Sequence, residues 1–283
     1  MSERRADSRV RLPDSAQVAG FRQVVRRSAA DLGRDLPWRR TTDPWAIIVS
    51  EFMLQQTGVA RVAEKYPPFM ERFGEPARLA EAPLPEVLAA WQGLGYNRRA
   101  INLRETARRL LADHDGRVPD ARDALLALPG VGPSTAGGVL AFAFNRPVVF
   151  IETNIRRVFI HHFHPGEGPV RDTDLLPLIE HTLDRRDPRG WYAALMDYGS
   201  SLGRQGSNPN RRSAHYTRQA PFAGSDRQLR GEIVRRLLTA GSLPLTRLAE
   251  EIGEEADRIE RIIDGLATEG FLVREQKGVT LAP

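Results

Sequence analysis

The sequence predicts an all-α protein that ends in a small winged-helix-like domain, and three observations carry this. Over residues 15 to 205 apolar side chains recur at spacings of three and four, as in Val87, Leu88, Trp91 and Leu94, with Pro, Gly and Asp breaks between the runs. Period-two alternation is almost absent from the same stretch. Beyond a loop, three short amphipathic segments precede FLVREQKGVTLA, which has the pattern of a small β hairpin.

Taken in order, residues 1 to 14 are polar and Arg-rich and are expected to form a disordered basic arm. The helices that follow carry their own signals. In APLPEVLAAW, Pro85 sits near a first turn, and in VPDARDALLALPG, Asp120 can cap while Pro129 and Gly130 can stop the helix. Residues 203 to 224 (GRQGSNPNRRSAHYTRQAPFAG) change to Gly, Asn, Pro, Ser and Arg, the composition of a loop or linker. Residues 226–239, 244–252 and 256–269 then read as helices, with a hairpin turning at Lys277 and Gly278. Three helices and a hairpin is the order of a winged helix, a unit that by analogy contacts DNA, docks on protein or serves structure alone.

Composition narrows the partners. The 283 residues suffice for one large or two moderate cores without a disulfide or metal staple. Lys and Arg number 41 against 36 Asp and Glu, a net charge of +5, and almost all the cations are arginine, suited to planar contact with phosphates. The count of Cys is zero, which excludes disulfides, thiolate catalysis and any cluster with cysteine ligands. There is no run of eighteen apolar residues, and MSERRADSRVRLPD lacks the apolar core of a signal peptide, so a cytoplasmic, nucleoid-associated protein with no membrane partner is expected.

Three motifs could carry chemistry. In LPGVGPSTA, Gly130 and Gly132 can take backbone angles closed to other residues and can present backbone N–H groups around Ser134 and Thr135 to an anion; an ordinary helix connection has the same letters. In PWAIIVSEFMLQQTGVARV, Glu51 lies among Ile47, Ile48, Val49, Phe52, Met53 and Leu54, where a carboxyl resists ionisation and can serve as a general acid, although a Glu reaching the helix surface fits too. Gln55 and Gln56 can enter a base stack or read base edges, or simply coat a helix. In RPVVFIETNIRRVFIHHF, Glu152 precedes Thr153, Asn154 and a helix with Arg156 and Arg157. An ionised carboxylate there can offset an oxocarbenium-like sugar, or act only as an N-terminal helix charge. The histidines His161, His162 and His164 read as core or surface residues, because adjacent histidines on a helix point apart, and the four Trp read as core.

LPWRR, SEFMLQQT, GLGYNRRAINL, LPGVGPSTAGGVLAFAF, IETNIRRV and LMDYGSSLG, in this order from about residue 36 to 203, resemble the helix-hairpin-helix (HhH-GPD) DNA glycosylases, and among them the MutY group of adenine-specific mismatch glycosylases most closely. The resemblance implies a two-lobed helical fold: one lobe from residues 15–35 and 150–203 carrying Glu152, and a helical-barrel lobe over 36–149 with Glu51 and the hairpin. Residues 204–224 then stand where the cluster loop would be, and 225–283 form the winged-helix-like domain. It implies that Glu51 protonates the leaving adenine, and that Glu152 replaces the family's Asp below the sugar, one methylene longer, with Asn154 beside it. Ser134 stands where bifunctional relatives such as endonuclease III carry a Schiff-base lysine, so a monofunctional enzyme is implied.

By the same resemblance Gln55, Gln56, Tyr96 and Asn97 fall at the wedge where a nucleotide is flipped out, with Asn97 closer to the endonuclease III pattern. Gly130, Val131, Gly132 and Thr135 fall at the phosphate grip, where a monovalent cation can bind. The four cluster cysteines should lie near Gly203, Asn210, Ser213 and Gln219, and none is Cys, so no iron–sulfur cofactor is expected. Arg204, Arg211, Arg212, His215 and Arg218 in that loop are expected to touch the phosphate backbone, unless the loop is a basic linker. The C-terminal segment does not resemble MutY's 8-oxoguanine-reading domain. The expected partner is duplex DNA with a mismatched or damaged base, bound by a monomer. Alternative substrates are hypoxanthine, or uracil or thymine opposite guanine. A non-catalytic DNA-binding protein directed by the winged helix is the alternative from another class.

Overall fold

The computed structural model describes residues 11–204, 208–276 and 278–283. In order these form α1 (Ser15–Leu32), a 3-10 turn (Pro37–Arg39), α2 (Pro44–Leu54), α3 (Val59–Phe73), α4 (Pro76–Glu81), α5 (Leu84–Trp91), α6 (Arg98–Asp113), α7 (Arg122–Leu126), α8 (Pro133–Phe142), α9 (Thr153–Phe163), α10 (Asp172–Thr182) and α11 (Pro188–Arg204). A second 3-10 turn (Pro209–Arg212), α12 (Asp226–Ala240), β1 (Ser242–Leu243), α13 (Leu245–Ile252), α14 (Ala256–Thr268), β2 (Leu272–Glu275) and β3 (Gly278–Leu281) follow. The all-α class with its C-terminal winged-helix-like element is as the sequence predicts, with one strand more than the hairpin alone.

The chain divides into two compact units, residues 1–42, 120–122 and 132–217, and residues 43–119, 123–131 and 218–283. The barrel lobe expected to run to residue 149 therefore stops at the hairpin, because α8 packs with α11 in the first unit. Part of the basic arm, residues 1–10, lies outside the described residues. Its last two residues are fixed: Asp14 caps α1 by accepting from Gln17 N at 2.8 Å, and the Pro13 carbonyl bonds His181 Nε2 at 2.9 Å.

The first unit closes around Phe21, Phe150, Phe159, Trp191 and Tyr192, all buried, with Phe21 edge-on to Phe159 and Trp191 at 5.4 and 5.8 Å. His162 belongs to this packing. Its Nε2 lies 3.0 Å from the Tyr198 hydroxyl, and burial pushes its pKa down to about 4, so it stays neutral at pH 7. Buried Asp197 accepts from Arg34 Nε at 2.6 Å and from Arg39 Nη1 and Nη2 at 2.6 and 2.9 Å, which ties LPWRR to LMDYG. Asp120, a candidate cap, instead pairs with Arg146.

Gly199 of α11 approaches α9 closely: a Cβ there would sit 2.2 Å from the Asn154 carbonyl oxygen and 2.8 Å from its Cα. Backbone cannot yield as a flexible side chain can. Gly199→Ala is expected to destabilise by about 1–3 kcal/mol or more, seen as a Tm lowered by about 5 °C, and to displace the turn that holds Glu152. An unchanged Tm by calorimetry would contradict the close approach.

In the second unit, Trp45, Phe52, Tyr66, Phe69, Phe73 and Trp91 form the buried centre of the α2–α6 helices. The C-terminal part is α12, α13 and α14 against an antiparallel sheet ordered β1-β3-β2, with Val273 opposite Thr280 and Leu243 opposite Val279. The two-residue β1 escapes period-two analysis, since alternation over so short a run leaves no signal. Lys277, assigned to the hairpin turn, lies outside the described residues.

Candidate active site

α2 begins where Asp43 accepts from Trp45 N at 3.1 Å and Ala46 N at 3.3 Å, followed by Pro44 at the first position. The helix is apolar on every face: Trp45 to Val49, Phe52 and Met53 are all buried. Glu51 is its one ionisable residue and is half-buried.

The two loops assigned to the wedge are strained and share one anchor. Gln56 (φ 55°) and Tyr96 (φ 46°) both adopt left-handed backbone, rare for non-glycine residues and sustained only when the surroundings over-determine it. Arg99 supplies that. Its buried guanidinium donates to the carbonyls of Phe52 and Met53 at 2.9 Å and to that of Gln55, closing the end of α2, and to those of Leu94 and Gly95 at 3.1 and 2.8 Å. It also donates to Thr57 Oγ1 at 2.9 Å, and burial lowers its pKa to about 10, leaving it charged. Sequence reasoning missed Arg99 because an arginine in GLGYNRRAINL reads as surface. The available signal was its place one residue before Ala100 and four before Leu103, both buried. Gln55 donates from Nε2 to the Gly130 carbonyl at 3.2 Å, and Asn97 caps α6 through its carbonyl, 2.9 Å from Ala100 N.

The two glycines of LPGVGPSTA differ in kind. Gly130 has φ 76°, and a Cβ on it would meet Asn102 and Phe52 at 2.9 Å, so glycine is required twice over. Gly132 corrects an expectation: its φ is −92°, and a Cβ would meet nothing within 4 Å. Val131 is buried and its N–H donates to the Leu128 carbonyl at 3.2 Å, so that N–H is already engaged. Gly132 caps α8 without a side-chain bond, Ser134 is half-buried in the first turn and Thr135 is buried.

In the other unit, Glu152 is the N-cap of α9. Its Oε1 accepts from Asn154 N and Ile155 N, both at 2.8 Å, and its Oε2 from Asn154 Nδ2 at 3.1 Å. Asn154 is itself held by Arg157, Nη1 to Oδ1 2.8 Å. Burial pushes the Glu152 pKa above the usual glutamate value, while the two backbone N–H groups, Arg157 and Arg156 pull it back. The extra methylene relative to aspartate is taken up in folding back onto the helix start.

The comparisons with known proteins bear on this arrangement. A family model described as the HhH-GPD superfamily base excision DNA repair protein matches residues 49–173. The adenine DNA glycosylase of Mycobacterium tuberculosis is 35% identical over 270 residues, covering 87% of this chain and 88% of that protein. The chain belongs to the HhH-GPD superfamily of base excision DNA repair proteins. A thymine/uracil-DNA glycosylase of Pyrobaculum aerophilum is 37% identical over 149 residues, covering 52% of this chain and 65% of that protein. The structure of a thermostable thymine-DNA glycosylase superposes with a TM-score of 0.61 at 26% identity, covering 69% of this chain and 91% of that one.

The loop after α11 stands where the resemblance to the MutY group places an iron–sulfur cluster. A four-thiolate cluster does not fit, since the chain has no Cys, and the described residues show no grouping of three or more His, Cys, Asp or Glu that could hold a metal. Residues 205–207 lie outside the described part. The loop is held by polar bonds: Asn208 Oδ1 accepts from Arg157 Nε at 3.0 Å, and Val170 exchanges backbone bonds with Arg212 and Ala214 at 2.8 Å each. Arg212, assigned to phosphate, donates instead to the carbonyls of His164 and Gly168. Arg204, Arg211, His215 and Arg218 are exposed. No helix among the described residues is long and apolar enough to cross a membrane.

Proposed function

We propose that the protein is a monofunctional adenine DNA glycosylase that binds duplex DNA containing a mismatched base and hydrolyses the N-glycosidic bond of the flipped adenine. The observation that supports this most is the capped carboxylate of Glu152, held by two backbone N–H groups and Asn154 at a helix start, together with membership of the family. Glu51 gives its proton to a ring nitrogen of the adenine. The C1′–N bond breaks with its electron pair leaving on the base, and the ionised Glu152 offsets the positive sugar. Water adds to C1′ and its proton returns to the Glu51 carboxylate. Gln55, Gln56, Tyr96 and Asn97 replace the lost stacking. Exposed Arg204, Arg211, His215 and Arg218, with the Gly130 turn and the start of α8 at Ser134, hold the phosphate backbone.

Ser134 offers no amine for a Schiff base, so the product is an intact strand with an abasic site. A panel of labelled duplexes, each with one mismatched or damaged base, tests both points. Strand breaks are expected at adenine only after hot alkali, and breakage without alkali would show lyase activity. The second reading, uracil or thymine opposite guanine, is favoured by the 37% identity to the archaeal thymine/uracil enzyme, and alkali-labile breaks at those bases instead of adenine would establish it.

A further inference from the structure

Residues 208–215 stand where the resemblance places a cluster loop, and they are fastened without thiolates. The fastening begins in the backbone. The Arg212 carbonyl accepts from Val170 N and the Val170 carbonyl from Ala214 N, both at 2.8 Å, which sets Ser213 beside Val170 in a parallel bridge. Val170 belongs to the buried core of the first unit. Two positions at which the resemblance places cysteines, Asn210 and Ser213, act as internal pins. Buried Ser213 donates from N to the Asn210 carbonyl at 3.0 Å, and its Oγ accepts from His215 N at 3.1 Å.

The Arg212 side chain adds a second tie, to other segments. Its guanidinium donates from Nη1 to the His164 carbonyl, and from Nε and Nη2 to the Gly168 carbonyl at 3.3 and 3.2 Å. His164 is the C-cap of α9, so the cation sits at the negative end of that helix, where carbonyls lack intrahelical partners. Gly168 lies in HPGEGPV, a turn whose glycines and prolines offer few side chains to hold it. With its Nε and Nη2 edge spent on one carbonyl and Nη1 on another, the guanidinium has lost that edge for a bidentate phosphate contact. Arg211 and His215, on either side of the strap, are exposed.

We propose that Arg212 is a positioning residue that stands in for a metal cluster: it clamps the loop to the end of α9 and to the Gly168 turn, and so holds Arg211 and His215 in register for the DNA backbone. The assignment rests on the reading above for those two contacts. A clamp differs chemically from a phosphate contact. A phosphate accepts any nearby cation, whereas carbonyls on two segments require the planar fork, which lysine lacks. Groups held in place by such a fork also lose less freedom on binding than the same groups on a loose loop.

A double-mutant cycle on the full chain tests it, with affinity for an undamaged duplex, Tm and single-turnover excision as readouts. Arg212→Lys and Arg212→Gln are each expected to weaken duplex binding about tenfold. Arg211→Ala, at an exposed position, is expected to cost about threefold in the wild-type chain and almost nothing in Arg212→Gln, because the clamp acts through it. The concentration for half-saturation should rise while the excision rate at saturating protein stays within about twofold. Wild-type affinity in Arg212→Lys would make Arg212 a simple charge, and an additive effect of Arg211→Ala would make the two independent contacts. An excision rate that falls in step with Tm at unchanged half-saturation would leave Arg212 a packing residue. Each of these results overturns the clamp. Coupling between Arg211 and Arg212 in a wild-type chain that gives no alkali-labile product on any duplex would keep the clamp and remove the glycosylase reading, and product with additive effects would do the reverse.

Discussion

Glu51→Gln is expected to lower the single-turnover rate of adenine excision by about 10²- to 10⁴-fold while leaving DNA affinity and Tm near those of the parent. The amide has the size of the carboxyl but no proton of comparable acidity to give. Trp45 to Val49, Phe52 and Met53 of α2 are apolar and buried, so the substitution alters the one ionisable group of the helix and leaves that packing alone. Rapid-quench cleavage of a labelled duplex followed by alkali measures the rate, and a variant within tenfold of wild type would remove Glu51 from the proton transfer.

Glu152→Gln carries the second large effect, with opposite consequences for activity and stability. In the proposed reaction the ionised carboxylate offsets the sugar cation, so its loss is expected to lower the rate about 10²- to 10³-fold. Because burial raises the Glu152 pKa in the folded chain above its unfolded value, its contribution to stability is fully present below the unfolded pKa and is lost as pH rises through the folded one. The neutral amide escapes that loss. At pH 7 the variant is expected to melt at or above the wild-type Tm, and below the ordinary glutamate pKa the two should converge. The wild-type rate profile should likewise have its acidic limb above the usual glutamate range. Glu152→Asp, which keeps the charge and is a good N-cap, should retain activity within about tenfold. A melting temperature that falls sharply in Glu152→Gln at neutral pH would show that the charge stabilises the fold.

Much of the candidate site was legible in the sequence because its carriers are local. Glu51 stands out as the lone charge in an apolar helix, and Glu152 precedes a helix whose first turn it can reach. The six ordered motifs identified the superfamily, and helical periodicity followed by turn residues set the elements of the C-terminal part. Other parts were not legible. Arg212 looked like a phosphate ligand until the carbonyls of His164 and Gly168 were seen to occupy it, and Gly132 looked like a strained turn until its φ proved ordinary.

The sequence by itself determined the helical class and the family and marked the two carboxylates as candidates, since each is written in spacings of a few residues, where side-chain period and helix capping operate. Only the tertiary structure decided how these are held. Arg99 joins the end of α2 to the turn after α5, Gly199 lets α11 meet the backbone of Asn154, and Arg227 meets Tyr96 from 131 positions away. Hydrogen bonds and close approaches of this kind depend on which distant segments the packed core brings within about 3 Å, and residue spacing along the chain holds no record of that distance.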